Sequence, residues 1–367
     1  MDGRLVLDGR ALKDFSVPGQ GGKRGLSAKA GTGTHTVELD LAPGEECGRG
    51  RAVIESTTLR EWIPIGTDVR AEYLEDEKYA EHVAKHADSI THGWDMQWKE
   101  IEPQQGVFDF ARADAVGDFA EENGLAMRGH PLVWRYYVPD YANSAQNTPE
   151  EVSEIMRSHI QSVVGRYRGT VDEWDVVNEP MADSGGLRNV YWRKKLGRNY
   201  LPLAFLYAHE ADPDAQLFLN EFGVEVKNSK SDGLYEAARQ MLAAGIPLHG
   251  IGFQFHASTE GWPDRDKMVE NFRRFADLGL AIQITEADVV DESNNPNSAH
   301  RRALQADAFA AAAKACKQVV ACNRFTMWGL SDKYSWLGEK KAPLPFDAKL
   351  KSKPSWGQIK DVLRPKG

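Results

Sequence analysis

"WDVVNEP", Trp174 to Pro180, is the stretch that decides how the chain is read. Its Asp-Val-Val centre suits a strand, because β-branched side chains fit a pleated, buried surface. Pro180 cannot donate to a sheet ladder and ends that strand. Asn178 and Glu179 are left at its carboxyl tip, an amide and a carboxylate at the mouth of a sheet. Outward from this stretch, from about residue 62, short apolar runs alternate with longer amphipathic ones. The other runs are "WIPIGTDV", "ITHGWDMQW", "LAMRGHPLVW", "QLFLNEFG", "HGIGFQFHA", "LAIQITEADV" and "RFTMWGL", which makes eight candidate strands.

The stretches between them read as helices. In "TPEEVSEIMRSHIQSVVGRYRG", Thr148 is an N-cap, Pro149 suits the first turn and Glu151 completes a capping box. Val152, Ile155, Met156, Val163, Val164 and Tyr167 make one apolar face, and Gly169 stops it. "DFARADAVGDFAEENG" places Ala115, Val116, Phe119 and Ala120 inward and stops at Gly124. Eight strands each followed by a helix, in roughly 250–300 residues, mark an α/β chain folded as a (β/α)8 TIM barrel. An open doubly wound sheet needs a Gly-rich phosphate turn after its first strand, and "GTDVRAEY" is not one. Residues 1–58 are Gly-rich with short alternating runs ("THTVELDL", "RAVIEST") and are expected to form a β-rich N-terminal extension ahead of a barrel domain at 59–367. The tail reads as loop ("KKAPLPFDAKLKSKPSW") and then a closing helix, "GQIKDVL".

The totals exclude several function classes. A formal charge of −9 without a basic cluster argues against a nucleic-acid partner. No apolar run reaches the ~18–20 residues of a membrane span. "MDGRLVLDGR" lacks the apolar region of a signal peptide, so the protein is cytosolic or the chain starts after a removed signal. No Cys/His set has metal-ligand spacing, and neither metal nor cofactor is expected. Cys316 and Cys322 lie six apart and read equally as a loop disulfide or as two reduced buried thiols.

The chemistry gathers at strand ends, where this barrel class works. Glu179 closes the fourth strand and Glu286 sits at the same rim of the seventh. Such a pair, about 5–5.5 Å apart, suits a retaining glycosidase: one carboxyl protonates the leaving oxygen, the other attacks the anomeric carbon. Activity is then bell-shaped in pH, with an acid limb from Glu286 and an alkaline limb from Glu179. Asn178 is placed to bond a sugar 2-hydroxyl. Gln254 and His256 share a face of the sixth strand, and Asp288 lies two residues past Glu286, so that Asp288–His256–Glu286 forms an orienting chain.

With "RGHPLVW", "WDVVNEP", "GIGFQFH", "ITEADV" and "MWGLSDKYSW" in this order, the sequence resembles glycoside hydrolase family 10, the β-1,4-xylanases, over roughly residues 62 to 363. The resemblance implies a retaining endo-β-1,4-xylanase, without cofactor, acting on a polysaccharide or oligosaccharide; a monomer is expected. It makes Glu179 the acid/base and Glu286 the nucleophile. It lines the cleft with His130, Trp134, Asn178, Gln254, His256, Trp328 and Trp336. It also implies a Cys316–Cys322 bridge and an extracytoplasmic protein, secreted or periplasmic, with Cys47 unpaired.

The sequence departs from the family at one place in particular. The family reads Glu-Asn-x-x-Lys-Trp on the second strand, where this chain has "GWDMQW": Gly93, Trp94 and Gln97 replace the polar residues and Trp98 is kept. After the third strand, Arg135, Tyr136 and Tyr137 follow Trp134, with Arg135 in place of a histidine; Leu337 replaces a basic residue after Trp336. Trp94, Gln97, Trp98, Arg135 and Tyr137 are therefore read as a rewritten binding site on the non-reducing side. Trp94 stacks on or blocks the second sugar position, and Arg135 meets an acidic decoration such as a uronate, unless a protein carboxylate at the rim already holds it. The alternatives are a clan relative cleaving a short or decorated β-glycoside, and a catalytically silent carbohydrate-binding protein. The retention of both glutamates speaks against the last.

Overall fold

Thr148 caps its helix as its sequence predicts: its side chain accepts from the Glu151 N–H while the Glu151 carboxylate accepts from the Thr148 N–H. That helix is one of the layer that wraps a parallel barrel. The computed structural model describes residues 2–7, 10–16, 37–41, 62–293 and 298–364. The eight strands are β1 (Ile65–Val69), β2 (Ser89–His92), β3 (Ala126–Gly129), β4 (Glu173–Asn178), β5 (Gln216–Glu221), β6 (Gly250–Phe253), β7 (Ala281–Val290) and β8 (Cys322–Met327). Each pairs in parallel with the next, and β8 returns to β1 through Phe325 and Ile65, so the sheet closes. Closure removes the sheet edges. The principal helices follow the strands: α1 (Glu77–His86), α2 (Ala111–Glu122), α3 (Pro149–Arg166), α4 (Tyr200–Ala211), α5 (Ser229–Ala243), α6 (Arg265–Ala276), α7 (Ala299–Lys317) and α8 (Pro354–Leu363).

The apolar faces agree with their sequence pattern in α3, where all six named residues are buried. In α2 the face is rotated: Ala113, Val116, Gly117 and Ala120 are buried, whereas Ala115 is exposed. Gly124 and Gly169 take left-handed backbone just past their helices, as stops should. The closing helix begins earlier than expected, at Pro354, because proline suits a first turn. Cys316, on the last turn of α7, and Cys322, opening β8, form a disulfide with Cα atoms 5.2 Å apart. No helix among the described residues is long and apolar enough to cross a membrane.

Residues 1–61 and 62–367 form two compact units. In the first, strands Asp2–Leu7, Arg10–Ser16 and Val37–Leu41 make a three-stranded antiparallel sheet, the last from within "THTVELDL". "RAVIEST" and Cys47 lie outside the described residues.

Part of the barrel interior is charged. Arg128 of β3 donates to Asp175 (3.0 Å) and Glu173 (3.1 Å) of β4 and to Gln283 of β7 (2.7 Å). Gln283 donates in turn to Glu173 (2.8 Å). Burial disfavours the charged Asp175, but the Arg128 guanidinium outweighs it and holds the carboxyl below its usual range. Buried ions persist only when paired in this way.

Candidate active site

β4 ends at Asn178, and Glu179 directly after it takes a left-handed backbone with φ 55°. Such a conformation costs a non-glycine residue on the order of 1–3 kcal/mol and persists where its surroundings impose it. Here the Glu179 N–H donates to the Asn220 carbonyl (2.8 Å), and the Met181 N–H donates to the Glu221 carboxylate (2.8 Å). Arg188 donates to the carbonyls of Glu179 (3.3 Å) and Met181 (2.6 Å). Burial pushes the Glu221 carboxyl up to about 7, although Lys230 lies 2.9 Å away.

Glu286 lies within β7, three strands on. Its Oε1 accepts from Asn220 Nδ2 (2.6 Å), and its Oε2 faces His256 Nε2 (3.3 Å). His256 Nδ1 faces Asp288 Oδ2 at 3.0 Å. Desolvation disfavours the charged imidazole, yet the flanking Asp288 and Glu286 outweigh it and raise the His256 pKa well above its ordinary value. Each ring nitrogen faces a carboxylate oxygen. The structure thus brings Asp288, His256 and Glu286 together, by a different route from the one expected. "GIGFQFH" is not one strand: β6 stops at Phe253, Phe255 turns left-handed (φ 64°), and His256–Ser258 forms a short strand against β7.

Asn220, at the end of β5, is the residue that the sequence reading missed. Its Nδ2 also donates to Asn178 Oδ1 (3.0 Å), and its Oδ1 accepts from Thr285 Oγ1 (2.7 Å). Gln254 Nε2 donates to the same Asn178 oxygen (3.1 Å). Asn220 therefore joins the Asn178–Glu179 turn to Glu286. The available signal was the repeated Asn-Glu at the end of an apolar run, in "VVNE" and again in "LFLNE".

Aromatic rings surround these groups. His130 bonds Asp175 through Nδ1 (2.8 Å) and packs edge-to-face on half-buried Trp328 at 5.0 Å. Burial opposes its charged form, but Asp175 and Glu286 outweigh that and raise its pKa. Trp336 is exposed, donates to Asp288 Oδ2 (2.9 Å) and stands 5.6 Å from His256. Trp134 lies 5.0 Å from Tyr136 and 5.9 Å from Tyr137, and Trp94 meets Tyr137 edge-on at 4.4 Å. Among the described residues, no cluster of three or more His, Cys, Asp or Glu side chains could hold a metal ion.

Three expectations on the non-reducing side need correction. β2 stops at His92, so Trp94 and Gln97 lie on a turn, and Gln97 is buried just ahead of the short helix Trp98–Ile101. Trp98 packs inside the protein: its ring stacks on His159 (3.8 Å) and lies near-parallel to Trp192 (5.1 Å), and its Nε1 donates to Tyr141. With only 3% of it exposed, Trp98 offers no face to a sugar. Arg135 donates to Glu179 Oε2 while its guanidinium lies over the Tyr136 ring at 4.3 Å. A protein carboxylate already holds it, so the uronate role falls.

A family model described as glycosyl hydrolase family 10 matches residues 54–362. Endo-1,4-beta-xylanase C of Paenibacillus barcinonensis is 38% identical over 315 residues, 77% of this chain and 29% of that protein. Endo-1,4-beta-xylanase 1 of Humicola insolens is 35% identical over 273 residues, 73% of this chain and 63% of that protein. This chain thus spans less than two thirds of either relative. The crystal structure of native xylanase 10B from Thermotoga maritima superposes with a TM-score of 0.79 at 36% identity, covering 83% of this chain and 95% of the other. With its closed barrel, its two strand-end glutamates and a family match over most of its length, the chain belongs to glycosyl hydrolase family 10.

Proposed function

We propose that the protein is a retaining endo-β-1,4-xylanase. The observation that carries this is the joined pair: Glu179 just past β4 and Glu286 within β7, linked through Asn220, with Arg135 on the Glu179 carboxylate and His256 on that of Glu286. Glu179 gives its proton to the glycosidic oxygen as Glu286 attacks the anomeric carbon. The bond to the leaving sugar breaks and a glycosyl ester of Glu286 forms. Glu179, now a carboxylate, takes a proton from water, and that water displaces Glu286. His256, anchored by Asp288, keeps Glu286 aimed. Asn178, whose carbonyl oxygen is occupied twice, has its NH2 left to meet a sugar 2-hydroxyl, and Trp328 and Trp336 supply apolar faces for the ring. Arg135 holds the Glu179 carboxylate in place.

The substrate is a linear β-1,4-xylan or its oligomers, taken by a monomer outside the cytoplasm. The Cys316–Cys322 disulfide supports that compartment, since such bonds persist where conditions are oxidising. The test is a time course of products from xylohexaose by mass spectrometry, with NMR of the first-formed anomer. Internal cleavage with initial β-product is expected. First-formed α-product would refute the retaining assignment, and stepwise release of single sugars from one end would refute endo action.

A further inference from the structure

Asp68, in β1, is a carboxyl group that the mechanism above leaves unused. Its side chain is buried at the same end of the barrel, with 6% of the residue exposed, and no described residue donates a hydrogen bond to its carboxyl. It is lodged between two glycines. A Cβ on Gly93, just past β2, would come within 2.3 Å of Asp68 Oδ2, and a Cβ on Gly329, past β8, within 3.4 Å of Oδ1. The carboxyl therefore fills the volume that a side chain at position 93 would take. The carboxyl oxygens are not sealed from solvent, and with no hydrogen-bond partner among the described residues they are open to a partner that arrives from outside.

We infer that Asp68 is a specificity-determining residue that accepts a hydroxyl of the sugar ring held against Glu286, so that β1 supplies a polar contact which glycine at position 93 cannot. This rests on the glycosidase reading given above. The surroundings agree. Burial pushes the Asp68 carboxyl up to about 7, with Arg70 pulling it down, Glu286 and Asp288 pushing it up and His130 pulling it down. A protonated carboxyl both accepts and donates, as a sugar hydroxyl requires.

The sign of the stability effect separates a binding role from a structural one. Because the folded protein holds this proton more tightly than the unfolded chain, with its ordinary value of 3.8, the contribution is full below about pH 4 and lost as pH rises through about 7. Removing the carboxyl should therefore raise the melting temperature at pH 8 relative to the parent, and not at pH 4. On linear xylo-oligosaccharides, Asp68→Ala should lower kcat/KM about tenfold or more, the loss of one buried hydrogen bond. Gly93→Glu alone should also lower it, by intruding on Asp68. The double variant Asp68→Ala with Gly93→Glu puts a carboxylate into the same volume from the neighbouring strand and should recover most of the activity.

Four measurements decide the matter: kcat/KM and melting at the two pH values for the three variants, with xylotetraose binding by calorimetry. Weakened turnover with a higher melting temperature at pH 8, and recovery in the double variant, supports the inference. Parental kcat/KM in Asp68→Ala overturns it. So does a parallel loss of melting temperature and turnover without recovery in the double variant, which marks a packing residue. A parent protein that neither cleaves nor binds xylo-oligosaccharides overturns the activity reading itself and this inference with it.

Discussion

Glu286→Ala should cleave xylo-oligosaccharides at least about 10⁴-fold more slowly than the parent, the scale of losing a residue that forms a covalent intermediate. The loss should fall on kcat, because Glu286 acts on the reacting carbon and its removal leaves the aromatic walls in place. Asn220 and His256 lose a bonding partner, so circular dichroism and melting should accompany the kinetics. The decisive readout is rescue. Azide is small enough for the vacated space and attacks the anomeric carbon of an activated aryl xyloside directly. One displacement in place of two gives the α-glycosyl azide. A β-azide, or a variant that keeps the parental rate, would remove Glu286 from the nucleophile's role.

Glu179→Ala should show the complementary pattern. On natural oligosaccharides, whose leaving groups need a proton, the rate should drop roughly 10²–10⁴-fold, the usual range for general acid catalysis. On aryl xylosides with acidic phenols the first displacement should proceed nearly unaided, and glycosyl-enzyme should accumulate as a burst. Azide then intercepts the ester and yields the β-azide, opposite to the Glu286 variant. The alkaline limb of the pH profile should disappear. If Glu179→Ala slows good and poor leaving groups equally, the residue positions substrate and is not the proton donor.

Much of this was legible in the sequence because strand ends announce themselves. Pro180 ends β4 by lacking an N–H, and the eight apolar runs each overlap the strand that forms. The capping box at Thr148 is a purely local device and reads off four residues. What was not legible depends on contacts between strands. Asn220 is an ordinary residue in an apolar run until the barrel closes and sets it between Asn178 and Glu286. Trp98 reads as a cleft tryptophan because the chain around it resembles a strand; the turn after His92 swings it onto His159 and Trp192, which are 61 and 94 residues away. Asp68 is silent for a different reason. Its meaning comes from the missing side chain at Gly93, and a vacancy on one strand says nothing about what fills it from another. Arg135 was read as free because sequence shows charge without showing its partner.

The charged layer inside the barrel bears on how this protein would fail under heat. His130 Nδ1 bonds the carboxylate of Asp175, which belongs to the same ion network as Arg128, Glu173 and Gln283. Strands 3, 4 and 7 meet there, and two of them carry the glutamates. The cleft is therefore not a loosely attached rim that can soften while the body stays folded. Loss of function on warming should therefore coincide with loss of the barrel, so that selecting for residual activity after heating would select for a stronger cylinder.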